Sequence, residues 1–239
     1  MEKFFDKLIA DFTQTFIDGN RWQSLLQSLG VTLELTFLAL FLGAAIGVVI
    51  AVVRASYDQM VEQHKENKVL KFFNGVCQVY VTIIRGTPMM VQLLIMYFVI
   101  MTSSTNTLLV ATLSFGCNSG AYVSEIIRGG IMSVDRGQTE AGRSLGLSYI
   151  QTMWFIVIPQ AIKNILPALG NEFIALLKET SIVNVIGMKD ITKWALNVQG
   201  RTYQAFMPFI GIAVVYLILV IILTKLVSML EKKMKTDVR

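Results

Sequence analysis

The chain has 239 residues, 54% of them hydrophobic and 15% charged, with a mean hydropathy of +0.60. That is too short for two ordinary soluble domains and too apolar for one, so the composition indicates an all-α integral membrane protein. The net charge of +5 does not point to nucleic acid, because Lys and Arg gather at the edges of apolar runs, where they anchor a bilayer protein and set its orientation.

Residues 1–30 carry Phe4, Phe5, Leu8, Ile9, Phe12 and Phe16 at helical spacing with acids between them. This predicts an amphipathic helix along the membrane interface, ended by the turn Asp18-Gly19-Asn20. A bilayer core of about 30 Å takes about 20 helical residues, and five runs reach that size. The first, 31–53, contains one charge, Glu34, and the pair Gly43 and Gly47. Their spacing suits close approach of a second helix, or relief of crowding within one subunit. The second, 72–102, is interrupted by Arg85-Gly86-Thr87-Pro88, where proline removes a backbone donor and restricts the residue before it, so the helix should bend or break. The third covers 108–127, with Glu125 near its end. After a polar stretch, 128–151, the fourth run covers 153–177 and is read as broken by Pro159 and Pro167. A polar segment spans 178–201, the fifth run is 207–227, and 231–239 forms a short basic tail.

Five spans place the termini on opposite sides. With the amino terminus outside, eleven Lys and Arg fall on the cytosolic segments, Lys65, Lys235 and Arg239 among them, and seven outside. The positive-inside bias favours this orientation, and the cations between 178 and 201 oppose it. No repeat, low-complexity tract or long linker divides the chain, so 1–239 reads as one transmembrane domain.

The polar stretch between spans three and four is built as helix over 133–150. It reads Glu140-Ala141-Gly142, three residues, Gly146, nine residues, then Ile156-Val157-Ile158-Pro159. Glycine at 146 breaks a short helix and Pro159 restarts the chain into the next span, which leaves a compact knob on the membrane surface. The spacing resembles the coupling-loop motif of the membrane subunits of bacterial ABC importers, with Gly142 in place of Ala and Ile158 in place of Leu. Further stretches are similar to the polar-amino-acid branch of these permeases: Ile84-Arg85-Gly86-Thr87-Pro88, Asn118-Ser119-Gly120-Ala121-Tyr122, Arg128-Gly129-Gly130 and Leu177-Lys178-Glu179-Thr180-Ser181. The loop at 56–71 is longer than is common in that branch and receives no role.

The resemblance implies a permease fold with about five transmembrane helices and a cytosolic coupling helix, in the inner or cytoplasmic membrane of a bacterium. It implies alternating access powered by two separate ATP-binding subunits. Glu140, Ala141, Gly142, Gly146, Ile156 and Pro159 would then serve coupling. No segment fits the phosphate-binding loop G-x-x-x-x-G-K-[ST], so ATP and Mg would be bound by the partner and this chain holds no cofactor and performs no catalysis. A second permease copy or a sister permease would complete the pathway, and an extracellular binding protein would deliver an amino acid.

Intramembrane polar groups are costly and default to function. Arg85, Asn118, Ser119, Tyr122, Glu179, Thr180 and Ser181 are the substrate candidates. Four of them have a structural alternative: Arg85 as a snorkelling or capping cation, Asn118 and Ser119 as small packing residues, and Glu179 neutralised by Lys178. Glu125 and Arg128 are expected to form a local ion pair. An intramembrane enzyme lacks support, because His64 is the lone histidine and lies in the charged segment 62–68, while Cys77 and Cys117 are isolated in apolar runs. A channel or structural membrane subunit without ATP coupling remains the other reading, and neither explains the coupling-loop spacing.

Overall fold

The computed structural model describes residues 2–62 and 67–236. His64, Lys65 and Arg239 lie outside the described residues. Helix α1, Glu2–Phe12, ends in a wide turn at Thr13–Ile17 and in the Asp18–Asn20 turn, where Gly19 (φ 61°) and Asn20 (φ 54°) take left-handed conformations that Gly and Asn tolerate best. Helix α2 then runs from Arg21 to Glu62. The amphipathic segment is therefore shorter than the 1–30 expected. After the turn only Gly30 interrupts the approach to the apolar run, and one helical glycine costs about 1 kcal/mol, too little to stop a helix that continues into 31–53.

The second run breaks as expected. Helix α3, Lys68–Gly86, and the pair formed by α4, Met89–Ile95, with its wide turn Met96–Ile100 are bent by 108°. Thr87 and Pro88 are extended between them. Helix α5, Thr107–Met132, continues past the expected end at 127. Ser133 closes it by donating from its hydroxyl to the Gly130 carbonyl at 2.7 Å. Helices α6, Arg136–Ser144, and α7, Tyr149–Thr152, make the surface knob. The chain then passes through the wide turn Met153–Val157 into α8, Ile158–Glu179.

The fourth span is not broken at its prolines. Tyr149–Ile186 is one helical run of 38 residues. Pro159 follows directly on the wide turn Met153–Val157, whose widened backbone gives the ring room where an ordinary helical turn would clash. Pro167 lies inside the helix without ending it.

The segment 178–201 also differs from a simple extramembrane loop. A tight turn of helix, Thr180–Ile186, leads to Gly187 (φ 84°) and to α9, Ile191–Thr202. Asp190 caps α9 by accepting from the amides of Thr192 (3.0 Å) and Lys193 (2.9 Å). Its apolar face, Ile191, Trp194, Ala195 and Val198, is buried with Ile212 against Phe16, Leu25 and Leu29. Helix α10, Phe206–Thr236, carries the fifth run and absorbs most of the expected basic tail.

Three helical runs among the described residues are long and apolar enough to cross a membrane, and the bent α3–α4 pair makes a fourth. Helix α5, 26 residues long, is the central element and meets protein instead of lipid along much of its length. Its small residues Gly116, Ser119, Gly120 and Ser124 lie against α2. A Cβ on Gly43 would fall 2.8 Å from Ser119 Cβ, and one on Gly47 would fall 2.6 Å from Val123 Cγ1, so both glycines serve contact within this chain. A second core, Leu35, Leu93, Phe115, Leu176 and Val183, joins α2, α4, α5 and α8.

Candidate functional site: a knob and a polar junction

The knob is rigid for local reasons. Asp135 accepts from the Gly137 amide at 2.7 Å and starts α6. At its end Gly146 N–H donates to the Arg143 carbonyl (3.0 Å) and Leu147 N–H to the Gly142 carbonyl (3.2 Å), with Gly146 at φ 83°. This is the Schellman arrangement, which requires a left-handed residue and therefore favours glycine. Ser148 and Gln151 then form a capping box that opens α7. The helix that begins there feeds directly into the fourth span, so α7 and that span form one helical run.

Gly142 is buried against Thr152 and Ile156, where a Cβ would approach Thr152 Cγ2 to 2.8 Å and Ile156 Cδ1 to 2.9 Å. Glycine at this position is thus matched to the seam between α6 and the base of the fourth span. Glu140 and Ala141 face outward. Leu145 (81% exposed) and Ile150 (78%) add an apolar tip of the kind that marks a protein contact rather than a solvated loop. Ile156 holds the seam, and Pro159 lies in the continuous helix instead of restarting it.

The second feature is a polar junction where α3, α4, α5 and α8 meet. Gln92 on α4 holds the helix break together: its amide nitrogen donates to the carbonyls of Ile84 (2.8 Å) and Thr87 (3.1 Å) and to the Thr87 hydroxyl (2.8 Å). Its carbonyl accepts from the buried Asn118 amide at 3.0 Å. Arg85 lies over the Tyr122 ring, 5.2 Å from its centroid, within range for a cation–π contact. Next to Asn118 on α5, the Ser119 hydroxyl donates to Glu172 Oε1 at 2.9 Å.

Glu172 and Gln92 are the residues that sequence reasoning missed. Glu172 was findable, being a carboxylate inside an apolar run, a placement that is expensive unless the group is partnered or used. Gln92 carried no such signal, since a lone Gln near a break is ordinary. Glu179 lies seven residues beyond Glu172, two turns along α8, so both carboxylates occupy one face. No ion pair joins Glu179 to Lys178 among the described residues. Thr180 is fully buried and its hydroxyl donates to the Leu177 carbonyl at 2.8 Å, which turns it away from any open face. The Ser181 carbonyl accepts from Asn184 Nδ2 at 2.7 Å.

Glu125 belongs to a third cluster. It pairs with Arg128 at 3.3 Å, as expected, and also with Arg54 of α2. The long-range partner was invisible in the sequence because 71 residues separate the two. Arg128 reaches Asp58 at 3.9 Å, so the four charges tie the ends of α2 and α5 together. The junction above thus sets one cation, Arg85, and one carboxylate, Glu172, against the same helix, α5.

Residues 65–236 match the family of binding-protein-dependent transport system inner membrane components. A putative glutamine transport system permease protein of Rickettsia prowazekii is 42% identical over 172 residues, 71% of this chain and 78% of that protein. The arginine transport system permease protein of Bacillus subtilis is 40% identical over 168 residues, 69% of this chain and 77% of that protein. A solved amino acid ABC transporter with histidines has a chain that superposes with a TM-score of 0.80 at 42% identity, covering 88% of this chain and 94% of its own. An inward-facing methionine ABC transporter shares the fold at a TM-score of 0.70 and 17% identity, over 93% of this chain and all of its own.

Proposed function

The chain belongs to the family of binding-protein-dependent transport system inner membrane components, and on that premise we propose that it carries a polar amino acid across the membrane. It is the transmembrane permease subunit of an ATP-driven importer, embedded in the inner membrane, and is not itself catalytic. ATP-binding subunits and a substrate-binding protein complete the system. The finer reading is that two ATP-binding subunits bind ATP and Mg, a second permease copy or a sister chain completes the pathway, and the amino terminus lies outside.

Coupling is supported chiefly by the geometry of α6. Its outward face presents Glu140 and Ala141, while Gly142 and Ile156 lock its inward face to the fourth span. Movement of the ATP-binding subunits at this knob is passed through α7 into α8, which carries Glu172 and Glu179. Substrate recognition is supported by the junction on α5. Arg85 beside Tyr122 suits a carboxylate, and Glu172 beside Ser119 suits an ammonium or a cationic side chain. Each group that a solute loses from water must be replaced by a protein partner, and this junction offers both signs. The relatives' glutamine and arginine names agree with a polar solute. Uptake of radiolabelled glutamine, arginine, histidine and glutamate by proteoliposomes holding the assembled complex tests the reading. ATP-dependent accumulation of one of them is expected, and accumulation of none refutes an amino acid as substrate.

A further inference from the structure

A cavity of about 360 Å³ opens between the start of α2 and helix α9. Arg21, Lys189 and Arg201 line it together with Gln27 and Asn197, and no carboxylate does. Arg21 donates to the Gln14 carbonyl, while Lys189 and Arg201 have no acidic partner among the described residues. Neighbouring Asp190 does not neutralise Lys189, being fully buried and committed to the amides of α9. Three cations sharing one concave site without a counter-ion repel one another unless an anion joins them.

The position of the cavity identifies the anion. Val31, the first residue of the apolar run, lines it, as does Trp194, so it lies at the edge of the hydrocarbon core. Trp194 stacks on Phe16 at 5.7 Å, the segment that follows α1. Helix α1 exposes Phe4, Phe5, Ile9 and Phe12, an apolar face that belongs in the headgroup layer. Trp22 and Tyr203, also exposed at this end of the bundle, are residues that favour the same layer. A site at this depth is bordered by lipid, not by bulk water.

We propose that Arg21, Lys189 and Arg201 hold the phosphate of an anionic phospholipid in the leaflet that α1 occupies. Basic pockets between transmembrane helices on the cytoplasmic side bind such headgroups, and the same pairing of clustered cations with a phosphate operates at this surface. The site also accounts for the cations at 189 and 201, which run against the positive-inside bias on this side of the chain: they serve a ligand instead of orientation.

The test is native mass spectrometry of the assembled transporter, titrated with phosphatidylglycerol, phosphatidylcholine or inorganic phosphate. The protein should prefer phosphatidylglycerol, and Lys189→Gln/Arg201→Gln should weaken its retention roughly thirtyfold, the loss expected for two cations near a membrane surface. Lys189→Arg/Arg201→Lys should keep the preference, which separates loss of charge from loss of fold. An unchanged preference in the Gln variant overturns the proposal. So does equal binding of inorganic phosphate, which would mark a soluble-anion site. Reduced stimulation by the binding protein with lipid retention intact overturns it as well, since the surface would then belong to a protein contact.

Discussion

Gly142→Val tests the knob most sharply. The glycine lies at the seam where a new Cβ comes within 2.8 Å of Thr152 Cγ2 and 2.9 Å of Ile156 Cδ1, and valine adds two methyl groups beyond it. Overpacking of this kind costs about 1–3 kcal/mol. Removing a helical glycine returns at most about 1 kcal/mol, less for a β-branched residue. The net loss of about 1–2 kcal/mol falls on the contact between α6 and the base of the fourth span, so the knob tilts while the spans insert normally. Substrate-stimulated ATP hydrolysis by the assembled complex, at matched membrane levels, should fall about fivefold to thirtyfold. Ile156→Ala removes the flexible end of the clash, so adding it to Gly142→Val should restore part of the coupling, a non-additivity of about 1 kcal/mol. Losses that simply add, or full coupling in Gly142→Val, refute the argument.

Glu172→Gln should raise the concentration for half-maximal uptake by roughly tenfold to a hundredfold, the cost of losing a charged partner for a desolvated cation; unchanged uptake kinetics would remove Glu172 from the pathway. Arg54→Met should destabilise the complex by about 1–3 kcal/mol, because it leaves Glu125 half-buried with Arg128 alone. Arg54→Met/Glu125→Leu should be milder in thermal unfolding in detergent, and an equal or larger loss in the double variant contradicts this. In a background lacking Cys77 and Cys117, single cysteines at Lys7 and Lys233 should label from opposite sides of sealed cells, with position 7 outside. Same-side labelling contradicts an odd number of crossings.

The elements most legible in the sequence were those punctuated by chemistry that acts locally. The break at Thr87-Pro88, the turn at Gly19-Asn20 and the glycine at 146 each follow from a backbone constraint on one or two residues. The proline at 159 misled because the wide turn before it absorbs the ring, and Pro167 lies inside α8 without ending it. Helix α9 was legible and overlooked: Asp190 is a strong cap, and Ile191, Trp194, Ala195 and Val198 follow helical spacing. Its polar remainder and its place between two spans disguised it as a loop. Partnerships across the bundle, Asn118 with Gln92, Ser119 with Glu172 and Glu125 with Arg54, depend on which helices pack together. No periodicity within a single helix encodes them.

The central claim is that this chain moves a solute only as the knob at 136–144 transmits ATP-driven motion. It is tested most directly by ATP hydrolysis in proteoliposomes holding the full complex, measured with and without substrate-loaded binding protein, for the natural chain and for Glu140→Lys. The account predicts that the loaded binding protein stimulates hydrolysis in the natural complex, and that Glu140→Lys loses most of the stimulation while still inserting into the membrane. Equal stimulation in both complexes, or hydrolysis indifferent to this chain's presence, would contradict it.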